Sequence, residues 1–223
     1  MELNRYIDHT NLKPDATCAD IQTLCAEAKA YHFASVCVNS VHIAQVAAAL
    51  AGTDVAPCCV VGFPLGAMEP EAKAFEAARA CALGAKEIDM VINIGWVRMG
   101  QYDKVLAEIN ELKKACGDHI LKVIIETCLL TEEEKVKMCE VVSASEADFI
   151  KTSTGFSTAG ATKPDVALMK AHMAAGKKIK AAGGIADFND AEEFVLLVAD
   201  RLGTSRLVLQ AKKKGVDLDD EIQ

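Results

Sequence analysis

Short apolar runs rich in β-branched residues alternate with longer alanine-rich stretches along the whole chain. The runs are Ile7–Thr10, Val36–Asn39, Val60–Phe63, Met90–Asn93, Val123–Glu126, Phe149–Thr152, Ile179–Ala182 and Leu202–Ser205. They read as buried strands, and their starts lie 23 to 33 residues apart, close to the ~30 residues of a strand–helix–strand unit. Between them come helical signals. Thr131-x-x-Glu134 is a capping box followed by Val136, Cys139 and Val142 at three-residue spacing; Ile21, Leu24, Cys25 and Ala28 form one apolar face after Thr17; Leu106, Ile109 and Leu112 follow Asp103. Eight such units predict an α/β fold, a single-domain (β/α)8 TIM barrel over residues 1–211. A charged C-terminal tail over 212–223 ends in Asp217-Leu218-Asp219-Asp220-Glu221.

Composition narrows the partners. The 223 residues carry 24 Lys+Arg against 32 Asp+Glu, a formal charge of -8. Basic residues gather only in short groups such as Lys212-Lys213-Lys214, so no nucleic acid is expected as a partner. No stretch approaches the ~20 apolar residues that span a bilayer, and Met1-Glu2-Leu3-Asn4-Arg5 does not lead into an apolar run. A soluble, cytoplasmic protein with no membrane partner is the expectation. The nine cysteines include no C-x-x-C and the five histidines no H-E-x-x-H. Reduced core thiols, no metal and no cofactor follow.

In a barrel of this kind the chemistry sits at the C-terminal ends of the strands, so the polar residues closing apolar runs are informative. Asp8, Asn39, Asp89, Asn93, Glu126, Thr127, Lys151 and Lys180 all lie in or just after such runs. Lysines and carboxylates are rarely buried without partners. Lys151 and Lys180 are 29 residues apart, one strand–helix–strand step, which sets them at similar height on neighbouring strands ~4.8 Å apart. Two adjacent ammonium groups, and burial itself, push at least one amine toward its neutral form. A neutral amine can form a Schiff base with a carbonyl substrate; the alternative leaves one lysine on the outer face or snorkelling to the rim. Asp89 shares strand parity with Val91 and Asn93 and is placed to neutralise a lysine and hold a water for proton transfer, or to make a purely structural buried ion pair. Asp8, on the first strand, is a supporting partner for Lys180.

Three glycine clusters close strands six to eight: Lys151-Thr152-Ser153-Thr154-Gly155-Phe156, Ala182-Gly183-Gly184-Ile185 and Gly203-Thr204-Ser205. Loops after the last two strands commonly bind phosphate in this fold, so a phosphorylated substrate is expected. Cys37 lines the pocket or is an inert buried thiol. His9 is expected to be a satisfied structural histidine, and Trp96 and Phe156 to shield the site or cover the barrel mouth.

The same segments, Ile7-Asp8-His9-Thr10, Val36-Cys37-Val38-Asn39, Glu87-Ile88-Asp89-Met90-Val91-Ile92-Asn93, Ile124-Ile125-Glu126-Thr127, Lys151 to Phe156 and Lys180-Ala181-Ala182-Gly183-Gly184-Ile185, resemble the deoxyribose-phosphate aldolase family over nearly the whole chain. The resemblance implies a metal-independent class I aldolase that interconverts 2-deoxy-D-ribose 5-phosphate with D-glyceraldehyde 3-phosphate and acetaldehyde. It implies further that Lys151 forms the Schiff base, that Lys180 lowers its pKa and that Asp89 works with Lys180 and a water in proton transfer. Gly155, Gly183, Gly184, Gly203, Ser205 and Arg206 are the candidate phosphate-binding residues, Asp8, Cys37 and Thr152 the supporting ones, and a homodimer is the assembly the family suggests. Two features depart from the family pattern. Ala186 and Asp187 stand where Arg and Thr are usual, while Arg206 appears at the next strand end, either restoring the charge or lying free on the surface. The tail has no Tyr. Two other readings are a different Schiff-base barrel, transaldolase-like or acting on another phosphorylated aldehyde, and a sugar-phosphate-binding barrel with little turnover.

Overall fold

A computed structural model describes residues 3–209. Eight parallel strands close into a barrel in sequence order: β1 (Ile7–Asn11), β2 (Ser35–Asn39), β3 (Ala56–Val61), β4 (Glu87–Val91), β5 (Ile120–Ile124), β6 (Phe149–Lys151), β7 (Lys178–Ala182) and β8 (Arg201–Thr204). The predicted eight-stranded barrel is therefore present, with shifted boundaries. β3, β4 and β5 begin three or four residues before the runs marked them, because Ala56-Pro57, Glu87 and Lys122 look unlike a buried strand in isolation. Gly62-Phe63, Ile92-Asn93 and Ile125-Glu126 lie beyond the strand ends, in the loops that build the mouth.

Helices α1 (Cys18–Ala30), α2 (Ile43–Ala49), α3 (Pro70–Ala82), α4 (Ile94–Arg98), α5 (Tyr102–Cys116), α6 (Glu132–Ala144), α7 (Lys163–His172) and α8 (Phe188–Leu196) connect successive strands, α4 and α5 both lying between β4 and β5. The Thr131–Glu134 capping box starts α6, and Thr17 with Asp20 forms a second box at α1, each satisfying two backbone N–H groups that the first turn leaves unpaired. Ile21, Leu24, Cys25 and Ala28 are buried as the spacing predicts. On α5 the inward position is Val105 rather than Leu106, and on α6 Met138 joins Cys139 and Val142 while Val136 is half-buried. Among the described residues there is no disulfide, and six of the nine thiols are buried, so cysteine serves here as a small core residue. No helix among them is long and apolar enough to cross a membrane. The predicted tail, 212–223, and the final two residues of the predicted barrel lie outside the described residues.

The main apolar core fills the layer between the outer barrel face and the helices. Within that layer sits a fully buried ion pair absent from the sequence reading. Lys73 Nζ of α3 lies 2.6 Å from Glu108 Oε1 of α5 and donates to the Val91 carbonyl at 2.9 Å, while Glu108 Oε2 accepts the Asn93 N–H at 3.1 Å. The pair thus ties two helices to the end of β4. Removing one member strands a buried charge, so Lys73→Met is expected to cost about 3–5 kcal/mol in denaturant unfolding. Lys73→Met with Glu108→Gln, which keeps an acceptor for Asn93, is expected to recover much of that loss; no recovery would mean that packing, not charge, holds the contact.

Candidate active site

The barrel interior is not the usual stack of branched aliphatic layers. Apart from a small cluster of Leu12, Cys37, Cys58 and Val60 with Phe63 packed on it, it holds a ladder of charge. Register sets Lys151 directly opposite Lys180, and Asp89 opposite Lys122. Strand alternation turns all four side chains inward, where they meet. Asp89 Oδ2 accepts Lys151 Nζ at 2.8 Å and Lys180 Nζ at 2.7 Å; Asp89 Oδ1 accepts Lys122 Nζ at 2.7 Å. Lys180 also pairs with Asp8 at 2.5 Å, and Asp8 Oδ1 accepts Ser35 Oγ at 2.7 Å and Arg201 Nη1 at 2.5 Å. Arg201 holds Glu87 through both Nη atoms, at 3.1 and 2.9 Å, and Glu87 lies 2.6 Å from Lys122.

Electrostatics keeps most of these groups ionised. Burial alone would push the two aspartates up, but Arg201, Lys180 and Lys122 hold Asp8, and Lys122, Lys151 and Lys180 hold Asp89, well below the ordinary carboxylate range. Burial likewise disfavours the Lys180 ammonium, yet the Asp8 and Asp89 carboxylates outweigh it and raise its pKa. Lys180 is therefore the member of the pair that its surroundings hold as an ammonium. Lys122, also raised against burial by Asp89 and its neighbours, went unremarked in the sequence, as did Glu87 and Arg201. The signal was present for Lys122, a lysine inside the apolar run Ile120–Ile124, and for Glu87, which shares parity with Asp89.

A cavity of about 620 Å³ opens above the ladder, within the range of small-molecule sites. Of the three lysines that reach Asp89, Lys151 alone lines it. The six glycine, serine and arginine positions singled out for phosphate, Gly155, Gly183, Gly184, Gly203, Ser205 and Arg206, all line the same cavity. Gly155, Gly183 and Gly184 have φ of +83, +73 and +78°, and a Cβ on Gly183 would lie 3.2 Å from the Cα of Gly160 and 3.4 Å from that of Gly155. These loops close on one another through backbone, which leaves the mouth lined by peptide groups. Gly203 has a different role from a loop glycine. It lies within β8, and a Cβ there would come 2.9 Å from Ala182 Cβ and 3.2 Å from Lys180 Cε; its bareness makes room for Lys180. The Gly183 N–H already reaches the Gly203 carbonyl at 3.4 Å, while Ser205 and Arg206 are exposed and Arg206 has no ion pair among the described residues.

The remaining candidates divide. Thr152 Oγ1 donates to the Ala182 carbonyl and accepts its N–H, stitching β6 to β7. Cys37 is fully buried beneath the cavity beside Cys58, which donates to Asp89 Oδ1 at 3.3 Å. Glu126, at φ +53°, turns its buried carboxylate onto Thr154, accepting both its N–H and its hydroxyl, and so braces the loop that carries Gly155. Asn93 caps α4 by accepting the Trp96 N–H, and Asn39 precedes the turn after β2 without a side-chain cap. His9 is satisfied by Glu27 at 2.8 Å and packs on Phe33, as expected for a structural histidine, and it also borders the cavity. Phe156 lines the cavity and packs edge-on against Phe63. Trp96 does not line it: the ring packs on the outer core under Lys104.

Residues 3–207 match the family described as DeoC/LacD family aldolase. The chain is 52% identical over 205 residues to the deoxyribose-phosphate aldolase of Streptococcus gordonii, covering 92% of this chain and 93% of that one. It is 52% identical to the enzyme of the same name from Clostridium tetani, over 92% and 95% of the two chains. A tetrameric deoxyribose phosphate aldolase from Aeropyrum pernix superposes with a TM-score of 0.84 at 31% identity, over 96% of this chain and 92% of that one.

Proposed function

Because the chain belongs to the DeoC/LacD family of aldolases, we propose that its barrel mouth cleaves and forms 2-deoxy-D-ribose 5-phosphate, with D-glyceraldehyde 3-phosphate and acetaldehyde as the other partners, through a Schiff base on Lys151. The observation that carries this reading is that Lys151 lines the cavity while its amine sits 2.8 Å from a carboxylate shared with a second lysine. The Lys151 amine adds to the aldehyde carbon of the open-chain sugar, and loss of water gives an iminium. Deprotonation of the 3-hydroxyl then breaks the C2–C3 bond, sends the electron pair to the iminium and releases glyceraldehyde 3-phosphate. The resulting enamine takes a proton at C2, and water frees acetaldehyde and the amine. Asp89, ionised and 2.8 Å from the Lys151 amine, works with Lys180, held as an ammonium, and a water to move the protons of these steps.

Borohydride reduction in the presence of acetaldehyde, followed by peptide mapping, tests the assignment. An ethyl group on Lys151 is the expected result, and a label confined to Lys180 or the absence of any label would overturn it.

At the other end of the substrate, the cavity face of Gly155, Gly184 and Ser205 is the proposed phosphate cradle, with Arg206 supplying the cation that Ala186 does not. Arg206→Ala is then expected to raise KM for the phosphorylated sugar by ~10-fold or more, in line with the ~1.5–3 kcal/mol of a charge-assisted hydrogen bond. Unphosphorylated deoxyribose should be almost unaffected. Equal changes for both sugars, or none for either, would remove Arg206 from the cradle.

A further inference from the structure

The interior ladder has a property that its individual ion pairs hide. Among the described residues four cations, Lys122, Lys151, Lys180 and Arg201, face three carboxylates, Asp8, Glu87 and Asp89, in one connected network. Arg201, sealed at the N-terminal end of the barrel with a side chain 12% exposed, cannot give up its proton. Lys180 has two carboxylates against it, Asp8 and Asp89. Lys122 touches Glu87 and Asp89 and stands 3.6 Å from Asp8. Lys151 has only Asp89, whose same oxygen it shares with Lys180. The lysine at the cavity floor is therefore the cation with the fewest carboxylate partners.

We infer that Lys122, Glu87 and Arg201 are positioning residues for the aldolase reaction: by fixing both the orientation of Asp89 and the one-charge excess of cations, they leave Lys151 the least compensated amine of the network and the one poised to react. Lys122 occupies Asp89 Oδ1 and leaves Oδ2 for the two lysines at the reacting end. Glu87 and Arg201 anchor Lys122 and Asp8 from below. None of the three lines the cavity, so each acts through Asp89, Asp8 or Lys180 and not on substrate. Two thiols face the same space, Cys37 of β2 and Cys58 of β3. They hydrogen-bond to one another, which lowers the Cys37 thiol below its ordinary value, while burial raises Cys58; the excess of one cation is the count with both thiols protonated.

The inference rests on the Schiff-base reading, and opposite charge changes separate the two. Lys122→Met leaves three cations against three carboxylates, so Lys151 gains a full counterion and the acid limb of the kcat/KM–pH profile moves up by about 1–3 pH units. Glu87→Gln leaves four against two, and the limb moves down. Combining the two substitutions restores an excess of one and returns the limb toward its original position. Glu87→Gln is nearly isosteric and remains informative if Lys122→Met does not fold. Limbs that stay fixed while turnover falls, or that shift in the same direction, would make the ladder a structural device only. Borohydride trapping on Lys151 in the unaltered protein is the independent control: its failure would sink the Schiff base itself, whereas trapping with unmoved limbs would sink only the ladder.

Discussion

Lys151→Ala is expected to lower the rate of deoxyribose 5-phosphate cleavage by roughly 10⁴-fold or more, with no borohydride-trapped adduct anywhere in the protein. The magnitude follows from the absence of a substitute. Lys122 and Lys180 are fully buried below the cavity, and Lys180 is kept as an ammonium by Asp8 and Asp89, so neither offers a nucleophilic lone pair to a carbonyl at the mouth. The fold should survive, because the truncation removes one cation from a network with a surplus and opens a gap next to an existing cavity rather than in the apolar layer. Steady-state cleavage assays and intact-mass measurement after reduction check both statements. Residual activity within tenfold of the unaltered protein would exclude Lys151 as the covalent residue.

Asp89→Asn is expected to reduce kcat by about 10²–10⁴-fold while leaving KM within a few-fold, since a proton-transfer group contributes in the transition state and Asp89 does not itself line the cavity proposed to take the substrate. Exchange of the acetaldehyde methyl protons for solvent deuterium, which needs enamine formation but no carbon–carbon cleavage, should slow in parallel. The substitution has a second readout in stability. Both Asp8 and Asp89 are held below the usual carboxylate range, so their contribution is complete above the unfolded pKa of ~3.9 and is lost as pH falls below it. Asp89→Asn removes one of these two groups, and the decline of melting temperature between about pH 5 and pH 2 should be shallower than in the parent protein. Rapid methyl exchange in the variant would reduce Asp89 to a structural charge.

The eightfold recurrence of buried runs and helical stretches was sufficient for the barrel, because each strand–helix unit must bury its apolar faces locally and a parallel sheet of eight such units can close on itself. Thr17 and Thr131 marked helix starts for a similar reason: a cap is satisfied within four residues of chain. The pairing of Lys151 with Lys180 was legible too, since it depends on one strand and the next. What needed three dimensions was everything that crosses the barrel. Asp89 on β4 meets Lys151 and Lys180 two and three strands away, and Asp8 on β1 meets Lys180 only because β8 closes back onto β1. Strand parity says that Lys122, Glu87 and Arg201 point inward, but not which carboxylate each one reaches, nor that the count ends one cation in excess. The same holds for Lys73 and Glu108, whose helices look amphipathic in isolation while packing buries their charged groups against the end of β4. Charge states in a closed interior depend on distances between residues remote in sequence, and the closure of the barrel fixes those distances.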